Sequence, residues 1–175
     1  NLRLMDFKQT KAALEGFAKF VIKQSRTNLT KKKKNVTSSL YESLGYDLNV
    51  SKNSFYLEFY MDEYGAFVDE GVKGKKSNYP ENRNSRFSFN TKRPPMQPLA
   101  DWAQKKNIRL RDKKGKFKKG NYKTIGFILA KSIFEKGIKA SFFFTKPFEQ
   151  GFEKLPNELI DKFALDIDDL LDFTQ

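Results

Sequence analysis

The sequence predicts an α+β fold: a long N-terminal helix packed on a small, mainly antiparallel sheet, a helical and hairpin insertion, and a C-terminal helix closing a single domain over residues 1–175. Three observations predict it. Leu14, Phe17, Ala18, Val21 and Ile22 recur at the spacing of one helical face. Tyr46, Leu48 and Val50, then Phe55, Leu57 and Phe59, alternate with polar residues at the period of a half-buried strand. Leu159, Phe163, Ile167, Leu170 and Leu171 mark a second amphipathic helix near the end. A chain of 175 residues is long enough to bury a real core, and its 18 phenylalanines predict one filled by large rings.

The first helix is expected to run for about 20–24 residues, since Leu29 continues its stripe. Asp6 is placed to cap it, with Gln9 completing a capping box. Gly16 costs about 1 kcal/mol against Ala in a helix, which predicts a close backbone neighbour there. Lys31–Lys34 suit the negative end of the helix dipole and read as a solvated end. Thr37 and Ser38 offer capping hydroxyls to a short helix carrying Leu40 and Leu44, with Gly45 as its left-handed stop. The two alternating stretches flank Ser51-Lys52-Asn53-Ser54 and form a hairpin. Asp62 and Glu63 favour a following helix start, and Tyr64, Phe67 and Val68 stripe it until Gly71.

Residues 73–138 read as the insertion. Up to Pro95 the chain is rich in Gly, Ser, Asn, Pro and Lys, a long loop with Phe87 and Phe89 as a short strand. Pro98 fits the first turn of a helix striped by Leu99, Trp102 and Ala103, with Trp102 as a core anchor. Ile108–Arg111 and Lys116–Lys118 flank Asp112-Lys113-Lys114-Gly115, which predicts an exposed basic hairpin. Tyr122, Ile125, Leu129 and Ile133 mark a helix closed by Gly137. Phe142–Phe144 predict a buried strand ended by Pro147, because three adjacent rings on a surface would be a sticky patch. The last helix starts near Pro156, with Asp161, Asp166, Asp168, Asp169 and Asp172 outward.

Composition narrows the function. There is no Cys, hence no disulfide or thiolate site, and no His, the commonest general base and metal ligand. Asp62/Glu63 and Asp69/Glu70 are sequence neighbours, which point apart on a helix. Asp166-x-Asp168-Asp169 lacks the glycine of a calcium loop. The expectation is a protein without catalytic residues, cofactor or metal. No apolar run approaches the roughly 18 residues of a membrane span, and no signal peptide is visible, which predicts an intracellular or virion setting. The net charge of +13 is uneven: residues 1–72 carry +2, residues 73–140 carry +16 and residues 141–175 carry −5. Eight basic side chains lie between Arg109 and Thr124 against one acid, Asp112. Arg109, Arg111, Lys113, Lys114, Lys116, Lys118 and Lys119, interleaved with Phe117, are candidate contacts to DNA or to an acidic partner.

The order of elements and three short motifs resemble a family: siphophage neck proteins, also called tail-completion, minor tail or head-tail joining proteins. Thr37-Ser38-Ser39-Leu40 with Ser43 is similar to a Thr-Gly-x-Leu-x-x-Ser segment that precedes that family's hairpin. Tyr64-Gly65-Ala66-Phe67-Val68-Asp69-Glu70-Gly71 is similar to its Tyr-Ala-x-x-Val-Glu-x-Gly segment. Lys146-Pro147-Phe148-Glu149-Gln150-Gly151-Phe152 is similar to its Pro-Phe-x-x-x-Ala segment. Pro94, Pro95, Trp102, Gly137 and Ile138 stand between them in the order of longer members. Ser38 departs from the expected glycine and Gly151 from the alanine. The likeness covers residues 1–72 and about 138–155. It implies a structural virion protein whose copies form a ring in the neck, joining the capsid connector to the tail around the DNA channel. Implied partners are further copies, other connector and tail proteins, and double-stranded DNA. Assembly in the host cytoplasm follows, and Tyr64, Phe67, Glu70, Pro147 and Phe148 become candidate subunit-interface residues. The charge alone supports a second reading, a sequence-independent nucleic-acid-binding protein.

Overall fold

The stripe on the first helix becomes the core of one of two compact units. The computed structural model describes residues 7–32, 38–51, 54–76 and 78–172. The first unit comprises Asn1–Asp62 with Phe143–Gln175, and the second Glu63–Phe142. The α+β expectation holds, with a long first helix, small antiparallel sheets, further helices and a C-terminal helix. Among the described residues no helix is long and apolar enough to cross a membrane.

In the first unit, α1 (Lys8–Lys31) is followed by α2 (Ser39–Ser43) and the hairpin β1 (Gly45–Val50) and β2 (Phe55–Tyr60). The strands pair in antiparallel register, Leu48 opposite Leu57 and Tyr46 opposite Phe59. Leu14, Phe17 and Val21 are buried with Leu155, and Leu48, Leu57, Phe59, Phe144, Phe148 and Leu159 pack around them. Phe17 is the hub: its ring meets Phe59 at 5.9 Å, Phe148 at 5.6 Å and Phe152 at 6.5 Å, all edge to face. A Cβ on Gly151 would lie 2.8 Å from the Phe17 ring, so only glycine lets that turn of helix approach. Gly16 is different: nothing would lie within 4 Å of a Cβ there, and the expected backbone neighbour is absent. Gly45 does not end α2 in a left-handed conformation. It opens β1, and the Tyr60 ring lies over its bare Cα, so a Cβ there would push the ring aside. Ser38, expected to cap α2 with its hydroxyl, makes no side-chain capping bond and instead takes a left-handed φ of 58°.

Phe142–Phe144 do not form a strand. Phe142 takes a left-handed φ of 48° and the chain turns directly into α6 (Thr145–Phe152). Phe143 is left with no exposed surface and Phe144 packs partly buried on the core cluster, because a turn can bury side chains as well as a strand does. Pro147 then fits the first turn of α6 instead of ending an element.

α7 (Leu155–Asp172) packs along α1 and supplies its cap. The expected cap, Asp6, lies outside the described residues, as do Thr37 and the lysines at 33 and 34. Asp166, read as outward, is buried. Its carboxylate accepts from the N–H groups of Gln9 at 3.0 Å and Thr10 at 2.9 Å, and from the Thr10 hydroxyl at 2.6 Å. A capping side chain thus comes from a distant part of the chain to satisfy two orphan donors of the first turn. Burial works against its ionisation, but the Thr10 hydroxyl and the two N–H groups outweigh burial and hold its pKa below the usual aspartate value. Asp161, Asp168 and Asp169 are exposed as expected, while Leu171 is 56% exposed and not inward.

The second unit begins with α3 (Tyr64–Glu70), which folds with the inserted segment and not with the hairpin before it. β3 (Val72–Lys73) pairs antiparallel with β4 (Gly137–Ile138), and Ser88 adds a parallel bridge to Lys73. The long loop is pinned. Asn82, with no exposed surface, donates to the carbonyls of Val72 at 2.9 Å and Ile138 at 2.7 Å and accepts from the Ala140 N–H at 2.8 Å. Ser85 donates to the Gly71 carbonyl at 2.7 Å. α4 (Met96–Lys105) and α5 (Tyr122–Lys136) cross where Gly126 faces Ala100; a Cβ there would meet the Met96 carbonyl at 2.7 Å. Ala100 and Ala103 are the buried positions of α4, so the expected anchor Trp102 is displaced outward, 38% exposed. On α5 the buried set is Ile125, Gly126, Ala130 and Phe134.

Phe17→Ala is expected to cost about 3–5 kcal/mol, the loss for a buried aromatic ring and its cavity; a variant that melts like the parent would show the hub is dispensable. Asp166 contributes to the loss of stability in acid. A carboxyl with a depressed folded pKa contributes fully above its unfolded value, about 3.9, and loses that contribution as pH falls through the folded value. Asp166→Asn should lower stability by about 1–3 kcal/mol at neutral pH. Denaturant titrations at a series of pH values should also show a smaller acid loss than in the parent. Parallel acid losses in the two proteins would contradict the capping role.

Candidate functional site

The basic segment after α4 forms a tight turn. Asp112 starts it: the Gly115 N–H donates to the Asp112 carbonyl at 3.0 Å, and Gly115 has φ +80°, a conformation glycine takes without strain. The Asp112 N–H donates to the Lys116 carbonyl at 2.8 Å. The Asp112 side chain accepts from the N–H groups of Lys114 and Lys116, both at 2.9 Å. This is a type I turn closed by a glycine bulge, and the Asp-x-x-Gly spacing encodes it. The flanks are shorter than a regular hairpin: a single antiparallel bridge joins Arg111 to Phe117, backed by the Lys118 N–H donating to the Leu110 carbonyl at 2.8 Å.

Every residue from Arg111 to Gly120 is exposed. Phe117, 62% exposed, carries two guanidiniums: Arg111 at 4.3 Å from the ring centre and Arg109 at 5.7 Å. The ring therefore orients the two arginines on the turn. Lys113, Lys114, Lys116, Lys118 and Lys119 surround it in water. The second unit holds 20 of the chain's 34 basic side chains and 7 of its 21 acidic ones, so it carries the whole net +13. The first unit is balanced at 14 of each. Such a field attracts polyanions without reading sequence.

A second feature of this unit is an apolar groove of about 660 Å³, lined by Tyr64, Phe67, Phe87, Phe89, Pro94 and Pro95 among others. Phe67 packs on Phe87 with ring centres 4.4 Å apart yet stays 41% exposed, and Tyr64 is 42% exposed. At the end of the same helix Glu70 is held by Arg86, whose Nε lies 3.1 Å from each carboxylate oxygen. Hydrogen bonding from Arg86 draws the Glu70 pKa below the usual glutamate value. Of the five candidate interface residues, Tyr64, Phe67 and Glu70 are thus brought together. Pro147 is buried in the first unit, and Phe148 is half-buried against the Phe17 cluster, so these two serve packing there. Of the other groove residues, Phe87 reads in the sequence as part of a short strand and Pro94 and Pro95 as part of the family likeness, none of them as an interface, and Arg86 carries no signal.

Three of the carboxylates singled out in the sequence are engaged apart from one another. Asp62 accepts from the Ser39 hydroxyl at 2.7 Å, Glu70 is paired with Arg86, and Asp166 caps α1. Among the described residues no group of His, Cys, Asp or Glu is placed to hold a metal ion. Comparison with protein-family models, with curated proteins and with solved structures gives no match.

Reversing Lys114, Lys116 and Lys118 to Glu tests the turn. All three are exposed, so the melting temperature should barely move. Affinity for a short DNA duplex should fall, and its salt dependence should flatten by about one unit of slope for each phosphate that is no longer neutralised. Unchanged affinity and slope would leave the turn as solvated surface.

Proposed function

We propose that the chain is a structural protein of a bacteriophage neck, in which copies assemble head to tail into a ring between the capsid connector and the tail, around the path of the DNA. The observation that carries this reading is the apolar groove lined by Tyr64 and Phe67, within a segment that bears the family likeness. A monomer gains nothing by leaving aromatic rings open to water, whereas an interface buries them. Head-to-tail contacts are the kind that close rings. Charge supports the same arrangement. The exposed acids of α7, Asp161, Asp168 and Asp169, complement a strongly basic unit on a neighbouring copy, and such complementarity sets register and partner choice. In this reading the chain works through interfaces and carries out no chemistry, and its place is the virion.

A specific observation favours a second reading: the exposed turn around Phe117 would serve equally in a free protein that binds nucleic acid without regard to sequence.

Phe67→Glu separates them. The charge sits in the groove, so ring assembly or incorporation into particles should be lost while the purified variant still folds by circular dichroism and still binds DNA like the parent. Normal incorporation of Phe67→Glu would remove the groove from the interface. A parent protein that binds DNA but forms no assembly, with Phe67→Glu indistinguishable from it, would favour the second reading.

A further inference from the structure

The first unit is electrically balanced as a whole, yet its charge is not evenly spread. From residue 16 to residue 41 there are seven basic side chains and no acidic one. The C-terminal half of α1 presents Lys19, Lys23, Arg26 and Lys31 along one wall of an open groove of about 690 Å³, and Tyr41 and Tyr46 form the facing wall. Among the described residues no carboxylate lines it.

We infer that this groove binds the phosphodiester backbone of nucleic acid, at a site separate from the basic turn of the second unit. Three features carry the assignment. Spacing is the first: Lys19, Lys23 and Arg26 stand at i, i+4 and i+7 on one face of the helix, and Lys31 extends the groove lining to the helix end. At about 1.5 Å per residue the stretch from Lys19 to Lys31 spans about 18 Å. At about 3.4 Å per phosphate along one strand this matches about five steps. The second is preorganisation. Arg26 donates from Nε to the Tyr41 carbonyl at 3.1 Å and from Nη2 to the Leu44 carbonyl at 3.0 Å, and its guanidinium lies 5.1 Å from the Tyr41 ring centre. A fixed central charge with flexible lysines on both sides suits a repeating anion. The third is availability. Glu15 holds Lys19 at 3.5 Å in an exposed i, i+4 pair, which a phosphate readily replaces. The negative end of the helix dipole acts only within the last turn, so Lys19 and Lys23 lie beyond its reach.

The test uses the full chain carrying Lys114→Glu, Lys116→Glu and Lys118→Glu, so that the turn no longer dominates, with and without Lys19→Glu, Lys23→Glu and Lys31→Glu. Three fluorescent probes of equal length are titrated across a salt series: a single-stranded oligothymidylate, a duplex and poly-glutamate. The groove substitutions should lower affinity for a nucleic-acid probe at least about tenfold at low salt and reduce the slope by about 2, because fewer counterions are released. A fall on either nucleic acid supports the backbone site, and the form affected shows which strand geometry the groove admits. Unchanged affinity for both nucleic acids, or a fall confined to poly-glutamate, would overturn the inference. Circular dichroism melting controls for folding, and a groove variant too unstable to assay is replaced by Lys19→Gln with Lys23→Gln, for which the same fall in smaller measure is expected.

Discussion

The first unit depends on a carboxylate at the start of its longest helix. Asp166 satisfies the N–H groups of Gln9 and Thr10 from a position 157 residues beyond the first of them. α1 has no capping side chain at Phe7, and its first turn carries no acid of its own. Capping and burial reinforce each other here. The cap fixes α7 against α1, and that register brings Leu155 and Leu159 onto the Phe17 cluster. With the helix so held, its polar face presents Lys19, Lys23 and Lys31 around the fixed guanidinium of Arg26.

Charge is the second constraint. The second unit carries all of the net +13, and like charges on so small a body repel one another. Ion pairs between Arg86 and Glu70, Lys139 and Glu81, and Lys76 and Glu135 offset part of that repulsion. With 20 basic side chains against 7 acidic ones, a large surplus remains whatever the pairing. Screening by salt weakens such a field but does not remove it. The same unit leaves the aromatic groove of about 660 Å³ open to water. An exposed aromatic groove and a strong positive field are two costs for a monomer and two assets for a component of an assembly. That combination, more than any single side chain, is the physical basis of the neck-ring reading.

Periodicity made the regular elements legible. The stripe from Leu14 to Ile22 and the alternation from Tyr46 to Phe59 have one physical interpretation each, and α1, β1 and β2 follow them. The Asp112-Lys113-Lys114-Gly115 turn was legible for a different reason: its hydrogen bonds are local, so its residues encode it directly. Pairings between distant residues were not legible. Asp166 looks like any acid on an amphipathic helix until Thr10 is placed beside it, and Asn82 has no pattern that marks it as the pin of the loop. Phe142–Phe144 signalled burial correctly but not the backbone shape that achieves it. On α4 small residues won over the large one, because Gly126 brings α5 too close for Trp102 to fit between. Of the lysines in the α1 groove only Lys31 is legible at all, as part of a solvated helix end, since the tyrosine wall opposite them belongs to other elements.

Whether copies of this chain share an interface around a DNA path is tested most directly by electron cryomicroscopy of the neck in intact particles. A closed ring is expected, in which each copy covers the Tyr64–Phe67 groove of its neighbour. Density for isolated copies with no shared surface, or a ring in which that groove faces open solvent, would contradict the proposal.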